Sequence, residues 1–290
     1  MNAAPTRIVA ATDFSSDAGN AVRRAALLAS QHSAELELLH VVSRRSLESV
    51  REWVRTPADV ADRLVADTRS LLEQAAASLG TPAAARVAVG DVLEEIVASG
   101  ARAALLVVGA RGLNPLRDAL VGTTAEQLLR RCRCPVLVVR TPASEPYRNV
   151  LAAVDLLPGA EHGLAGAARI APAAKLTAVH AYEVVFEGAL RRAGVQTEEI
   201  EQHRAQVFQQ SLAEIRRLSE VATGDADRFL PMVERGDAAA LILERERSLG
   251  ADLVVISQRT RSAVEALVLG SVTRHVLADA KADVLVVQEP

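Results

Sequence analysis

Aromatic rings are scarce in this chain: Phe, Tyr and Trp make up 2% of its 290 residues, although 50% are hydrophobic. A core of that composition has to be packed from Ala, Val, Leu and Ile. Modules that read nucleic acid by stacking bases on exposed rings lack their material. A basic excess is missing as well. Lys+Arg number 33 against 36 Asp+Glu, for a net charge of −3 and a pI near 6.1, which offers no positive field to nucleic acid or to an anionic membrane. Two cysteines, Cys132 and Cys134, cannot form a disulfide scaffold. No run approaches the ~20 apolar residues of a membrane span, and the opening MNAAPTRIVAATDFS is unlike a secretory leader. The expectation is a soluble, cytoplasmic protein. Residues 1–144 contain no lysine, which excludes a G-x-x-x-x-G-K-[S/T] loop or a kinase-type lysine there.

At roughly 150 residues per domain the length suggests two domains, and the chain repeats itself in order. IVAATDFS (Ile8 to Ser15) returns as VLAAVDLL (Val150 to Leu157), and ELELLHVV (Glu35 to Val42) as KLTAVHAY (Lys175 to Tyr182). AVGDVLEEIV (Ala88 to Val97) matches VERGDAAALIL (Val233 to Leu243), ALLVVGARG (Ala104 to Gly112) matches DLVVISQRT (Asp252 to Thr260), and CPVLVVR (Cys134 to Arg140) matches ADVLVVQ (Ala282 to Gln288). This is a tandem duplication. TPASEPY (Thr141 to Tyr147), punctuated by Pro142 and Pro146, reads as the join, giving domains over 1–144 and 145–290.

Within each half, short β-branched runs alternate with helical patterns, as in βαβ units on a parallel sheet. The first half places strands at Ile8 to Thr12, Leu36 to Val42, Ala85 to Val89, Leu105 to Gly109 and Val136 to Val139. Helices are expected over Asp17 to Gln31, Asp59 to Leu79, Val92 to Ser99 and Thr124 to Arg131, and over Thr197 to Ser219 in the second half. Pro231 falls in the second half's third strand, and proline within a sheet favours an edge. That fits a doubly wound order 3-2-1-4-5, with a ligand site beyond the carboxyl ends of strands one and four.

At that place the first half carries Gly109-Ala-Arg-Gly112, nine residues, then Gly122-Thr123. Glycines let backbone approach a ligand, and a Gly-Thr step opening a helix aims N–H groups at an anion. The pattern G-x2-G-x9-G-[S/T] is therefore a phosphate cradle made mainly of backbone. A dinucleotide G-x-G-x-x-G is absent after strand one, where Asp13-Phe14-Ser15-Ser16 stands instead.

Together the TDFS and LHVV strand ends, the glycine element and the CPVLVV strand resemble the universal stress protein family in its tandem two-domain form, over essentially the whole chain. The resemblance implies two doubly wound five-stranded α/β domains that pair their last strands as a pseudo-dimer. In the family's ATP-binding branch it also implies ATP at the switch point, and Mg2+ on the phosphates would accompany the hydrolysis alternative below. Carried over by motif position, Asp13 would meet the ribose or adenine, flanked by Ala11 and Thr12, and the backbone of Val41, after His40, would read the adenine edge. Val108 and Gly109 would lie against the ribose, while Gly112, Gly122, Thr123 and Thr124 would hold the phosphates. Arg111 and Arg117 are added as charge partners on chemical grounds.

Plainer roles stand beside these. Asp13 could cap the following helix. His40 and His180 lie at matching strand ends with no second ligand at metal spacing and read as structural. Cys132 and Cys134 read as small apolar residues at a helix-to-strand junction. In the second half the cradle becomes Ser257-Gln-Arg-Thr260 followed by Gly270-Ser271, losing two glycines but keeping Asp155. The expectation is an ATP-binding stress-response regulator whose second half is degenerate, structural or directed to another ligand, with protein partners unnamed. The rival is slow ATP hydrolysis or autophosphorylation on Thr123 or a nearby hydroxyl, for which the cradle supplies no evident general base. Further homodimerisation is left open.

Overall fold

The computed structural model describes residues 5–54, 59–112, 123–182, 193, 195–259 and 269–289. The first half runs β1 (Arg7–Ala11), α1 (Ser16–His32), β2 (Glu35–Ser43), α2 (Arg44–Val54), α3 (Asp59–Ala77), β3 (Ala84–Gly90), α4 (Val92–Gly100), β4 (Leu105–Gly109), α5 (Thr123–Arg131) and β5 (Val136–Val139). The second runs β6 (Asn149–Ala153), α6 (Glu161–Ile170), β7 (Lys175–Tyr182), α7 (Thr197–Thr223), β8 (Leu230–Arg235), α8 (Ala238–Leu249), β9 (Leu253–Arg259), α9 (Ser271–Asp279) and β10 (Asp283–Glu289). Each expected strand and helix is present, with ends moved by a few residues. The addition is α2, whose sequence RRSLESVREWV carries Leu47, Val50 and Val54 at the i, i+3, i+7 spacing of a helix face. Its Leu47 is buried in a small cluster with Val42 and Ala61.

Local chemistry sets the helix starts. Ser15 caps α1, its side chain accepting from the Ala18 N–H, so the cap expected as an alternative for Asp13 belongs to Ser15 instead. The Gly-Asp steps of the repeat cap α4 and α8: Asp91 accepts from Leu93 and Glu94, and Asp237 accepts from Ala240.

The strands form one ten-stranded sheet in the order β3-β2-β1-β4-β5-β10-β9-β6-β7-β8. Each half is therefore 3-2-1-4-5, and Pro231 lies in the edge strand β8, opposite Ala178. Pairing is parallel within each half and antiparallel where β5 meets β10, with Leu137 opposite Leu285. The pleat sends alternate residues to opposite faces. Ile8, Ala10, Leu137 and Leu285 pack with α1 and α6 in one core. Val9, Val136, Val138 and Val284 pack with α5 and α9 in the other. Both cores cross the β5–β10 seam, so the halves share their interior.

Side chains repeat the two-fold relation at that seam. Arg140 donates through Nη2 to the Leu277 carbonyl, and Gln288 donates through Nε2 to the Leu129 carbonyl at 3.1 Å. These are corresponding residues of the two copies exchanging corresponding contacts, as in an isologous dimer. One residue breaks the symmetry. Asp283, whose counterpart in the first copy is Pro135, is 0% exposed. Its Oδ1 accepts from the Arg140 N–H at 2.8 Å and from the N–H and hydroxyl of Thr141, both at 3.2 Å. Its Oδ2 accepts from Tyr147 at 2.7 Å and from Arg24 Nε at 3.2 Å. The guanidinium of Arg24 also lies 4.0 Å from the centre of the Tyr147 ring, and its Nη1 donates to the Glu145 carbonyl at 2.7 Å. The segment joining the halves is thus anchored at Thr141, Glu145 and Tyr147.

Candidate functional site

Strands β1 and β4 are parallel neighbours, Ala10 opposite Val107. Their chain connections leave in opposite directions, β1 toward β2 and β4 toward β5, which opens a crevice beyond their carboxyl ends. Ala11, Thr12 and Asp13 lie at the end of β1, Val41 near the end of β2, and Val108, Gly109, Arg111 and Gly112 at and after the end of β4. The fold therefore brings these eight expected residues to one end of the sheet. Thr124 is exposed in the first turn of α5. Gly122 and Arg117 lie outside the described residues, as does the side chain of Thr123.

A tight turn holds Asp13 in place. Its Oδ1 accepts from the Ser15 N–H at 3.0 Å, the Phe14 N–H donates to Thr12 Oγ1 at 3.1 Å, and Phe14 adopts a left-handed φ of 65°. The second half builds the same turn: Asp155 accepts from the Leu157 N–H at 3.0 Å, and Leu156 sits at φ 56°. Non-glycine residues enter this region only where the surroundings hold them. Here an aspartate turn fixes the residue that follows it in both copies.

Histidine completes the floor. His40 Nδ1 lies 2.8 Å from the Thr12 carbonyl, and His180 Nδ1 lies 2.8 Å from the Val154 carbonyl. A carbonyl only accepts, so the proton is on Nδ1 in each. The His40 ring is 4.7 Å from that of Phe14, which is 42% exposed. Both histidines thus tie strand two to the end of strand one, as expected of structural residues.

The two glycines of the cradle differ in what demands them. A Cβ on Gly112 would lie 2.7 Å from Asp13 Oδ2, so the bare backbone of Gly112 is what lets the carboxylate occupy the crevice. A Cβ on Gly109 would instead lie 2.8 Å from the Ala18 nitrogen and the Asp17 carbonyl carbon. Gly109 is therefore required by the close approach of α1. Its counterpart Ser257 places its hydroxyl against Gly163 of α6, so the second half accommodates the same strand–helix approach with a glycine on the helix. The Gly109/Ser257 difference therefore has a packing side as well.

Charge divides the halves more sharply. Arg111 is exposed in the first half. Nearby, burial lowers the affinity of the Arg140 guanidinium for its proton, and the charge of Arg111 adds to the effect. In the second half the matching Arg259 donates through Nε to Glu289 Oε2 at 3.0 Å, and its Nη2 lies 3.4 Å from Asp155 Oδ2. Burial pushes the Glu289 carboxyl above its usual range; Arg259 opposes that shift, and the Asp155 charge adds to it. The donor set in the first half, bare backbone and exposed guanidinium, fits a phosphate-bearing ligand. The second half, where two carboxylates already flank the guanidinium, does not. Glu289 and Arg140 were not singled out from the sequence. The signal for Glu289 was available in the repeat, which sets it against Thr141.

A groove of about 520 Å3 runs between α1 and the end of α3, and it reaches the strand ends through Thr12, Phe14 and Ser15. Cys132 and Cys134 are both buried beside Gly100. The thiol of Cys132 is held above its usual range chiefly by its hydrogen bond to Cys134, whose own value that bond lowers. Among the described residues no group of three or more His, Cys, Asp or Glu side chains could hold a metal ion. Among the same residues, no helix is long and apolar enough to cross a membrane.

Comparison with known proteins agrees with this architecture. The model of the universal stress protein family matches twice, over residues 5–140 and 146–288. A universal stress protein of Mycolicibacterium smegmatis is 28% identical, over 97% of this chain and 96% of its own. A universal stress protein of Mycobacterium tuberculosis is 28% identical over the same shares. Among solved structures, a universal stress protein from Archaeoglobus fulgidus aligns with a TM-score of 0.65 at 17% identity, covering 98% of this chain and 99% of its own, a likeness of fold.

Proposed function

Because the chain belongs to the universal stress protein family, we propose that it is an ATP-binding stress-response regulator, in which the first half holds the nucleotide, with Mg2+, and the second half does not. The observation that carries this reading is the pairing of Asp13 with Gly112. The turn after β1 delivers a carboxylate to the switch-point crevice, and the residue beside it has no side chain to fill the space. Ala11, Thr12, Asp13 and Val41 would face the nucleoside, Val108 and Gly109 the ribose, and Arg111, Gly112, Gly122, Thr123 and Thr124 the phosphates. Backbone N–H groups and a helix start suit phosphate oxygens, and Arg111 adds a guanidinium.

When bound, the nucleotide supplies charge and bulk at the strand ends. The chain's own residues orient it: Asp13 is locked by its turn, and Thr12 is locked through His40. Occupancy would change the surface that the first half, residues 1–144, offers to protein partners in the cytoplasm, while residues 145–290 complete the shared sheet. Calorimetric titration of the full chain with ATP tests this. About one ATP per chain, lost in a Gly112→Val variant whose melting curve is unchanged, is the expected result. No binding by the wild type, two equivalent sites, or undiminished binding by the variant would overturn it.

A further inference from the structure

The strand-end arginines of the two halves are treated differently, and the cause lies in the residues at Thr141 and Glu289. Thr141 turns its N–H and hydroxyl to Asp283, both at 3.2 Å, while Arg111 stays exposed. In the second half β10 runs on to Glu289, which the register sets directly opposite Arg259. Glu289 Oε2 accepts from Arg259 Nε at 3.0 Å. The glutamate is 6% exposed, and among the described residues its Oε1 is buried without a hydrogen-bond partner. Above it stands Gly159, at φ 101°, where a Cβ would lie 2.6 Å from Oε2.

A carboxylate held against a guanidinium, beneath a loop residue that only glycine suits, has the surroundings of a bound anion. Asp155 stands on the other side of the same guanidinium, 3.4 Å from Nη2. An incoming phosphate would therefore meet two negative groups around one positive one.

We propose that Glu289 is a built-in occupant of the second half's anion site. Its carboxylate takes the place at Arg259 that a phosphate group would take, so the second half accepts a phosphate-bearing ligand only when Glu289 is replaced by a neutral residue. This goes beyond the ATP reading of the first half and does not depend on it.

The test uses the full chain and inorganic pyrophosphate, which carries the anion chemistry without a base. Wild type, Glu289→Gln and Glu289→Thr, the latter restoring the residue found at this place in the first half, are titrated by calorimetry. All three share one first half, so the difference between them reports on the second. Both variants should bind one additional pyrophosphate per chain, and adding Arg259→Gln should weaken that site by roughly tenfold or more. Failure of both variants to gain a site overturns the proposal, as does a gained site that persists unchanged in the Arg259→Gln background. A wild-type chain that already binds pyrophosphate through Arg259 overturns it too.

Discussion

The buried carboxylate of Asp283 accepts a hydrogen bond from the Tyr147 hydroxyl at 2.7 Å, tying the first residue of β10 to the end of the segment that joins the halves. The same oxygen accepts from Arg24 of α1, and the other oxygen holds Arg140 and Thr141. Asp283 therefore connects one half's last strand to a helix, a strand end and the joining segment contributed from across the seam. Asp283→Ala would strand the guanidinium of Arg24, whose side chain is 6% exposed, without its carboxylate. Loss of one partner of a buried, hydrogen-bonded pair costs about 3–5 kcal/mol. Urea denaturation should show a loss of that size. The double change Asp283→Leu with Arg24→Met should recover part of it, because apolar replacement of both partners removes the stranded charge. A loss below about 1 kcal/mol for Asp283→Ala would show that the cluster contributes little.

Tyr147 makes a second prediction, about alkaline pH. Burial first, and then the charge of Asp283, push its phenol well above the ordinary value of 10.0, with the Arg24 charge opposing. A group whose value is raised on folding stabilises the fold fully below the unfolded value, and that contribution is lost as pH climbs through the folded one. Below about pH 10 the phenol is protonated in both states and adds no pH dependence. Above it, the unfolded chain releases a proton that the folded chain keeps, so stability falls with rising pH. Tyr147→Phe should flatten that fall between about pH 10 and 12, measured as the urea midpoint at each pH. An equal slope in both proteins would contradict the assignment.

The cysteines give a third. Both are buried at the junction of α5 and β5, and their thiols hydrogen-bond each other. A water-soluble thiol reagent should label neither in the native protein and both in urea. The native labelling rate should track global opening, because reaching the thiols requires the helix to leave the sheet. Rapid native labelling of either thiol would place it in a more accessible setting.

Much of the architecture was legible in the sequence because the repeat supplied it twice. The strand runs at Ile8 and Val150 and the proline in β8 pointed to the order within each half, and the family resemblance supplied the pairing of the last strands at Val136 and Val284. The residues at the crevice were named by motif position through the family resemblance, and the sheet order then places eight of them at one end of the strands. Helix α2 was not legible, although Leu47, Val50 and Val54 stand at helical spacing, because it is short and begins directly where β2 ends, with no loop to separate the two patterns. The pairing of Glu289 with Arg259 was not, because it depends on how far β10 extends and which residue its register sets opposite. Composition cannot report that. Gly109 shows a demand that spacing does not reveal: beside the ribose contact expected of it, the nearest atoms to its missing side chain are backbone atoms of α1.

That difference between the halves yields the fourth prediction. At Gly109 an added methyl would press on the backbone of Asp17 and Ala18, which no side-chain change can remove. Gly109→Ala should therefore destabilise the protein by about 1–3 kcal/mol, the usual cost of overpacking, whatever else is altered nearby. At Gly163 the added methyl would meet the hydroxyl of Ser257, a side-chain atom. Gly163→Ala should cost a similar amount alone, and much less when combined with Ser257→Gly, which opens the strand side of the same contact. The coupling energy between positions 163 and 257 should thus be favourable and of order 1 kcal/mol or more in a double-mutant cycle. Additive effects at the two positions would mean that the clash at Gly163 is relieved by movement of α6 and that the strand–helix distance is set elsewhere.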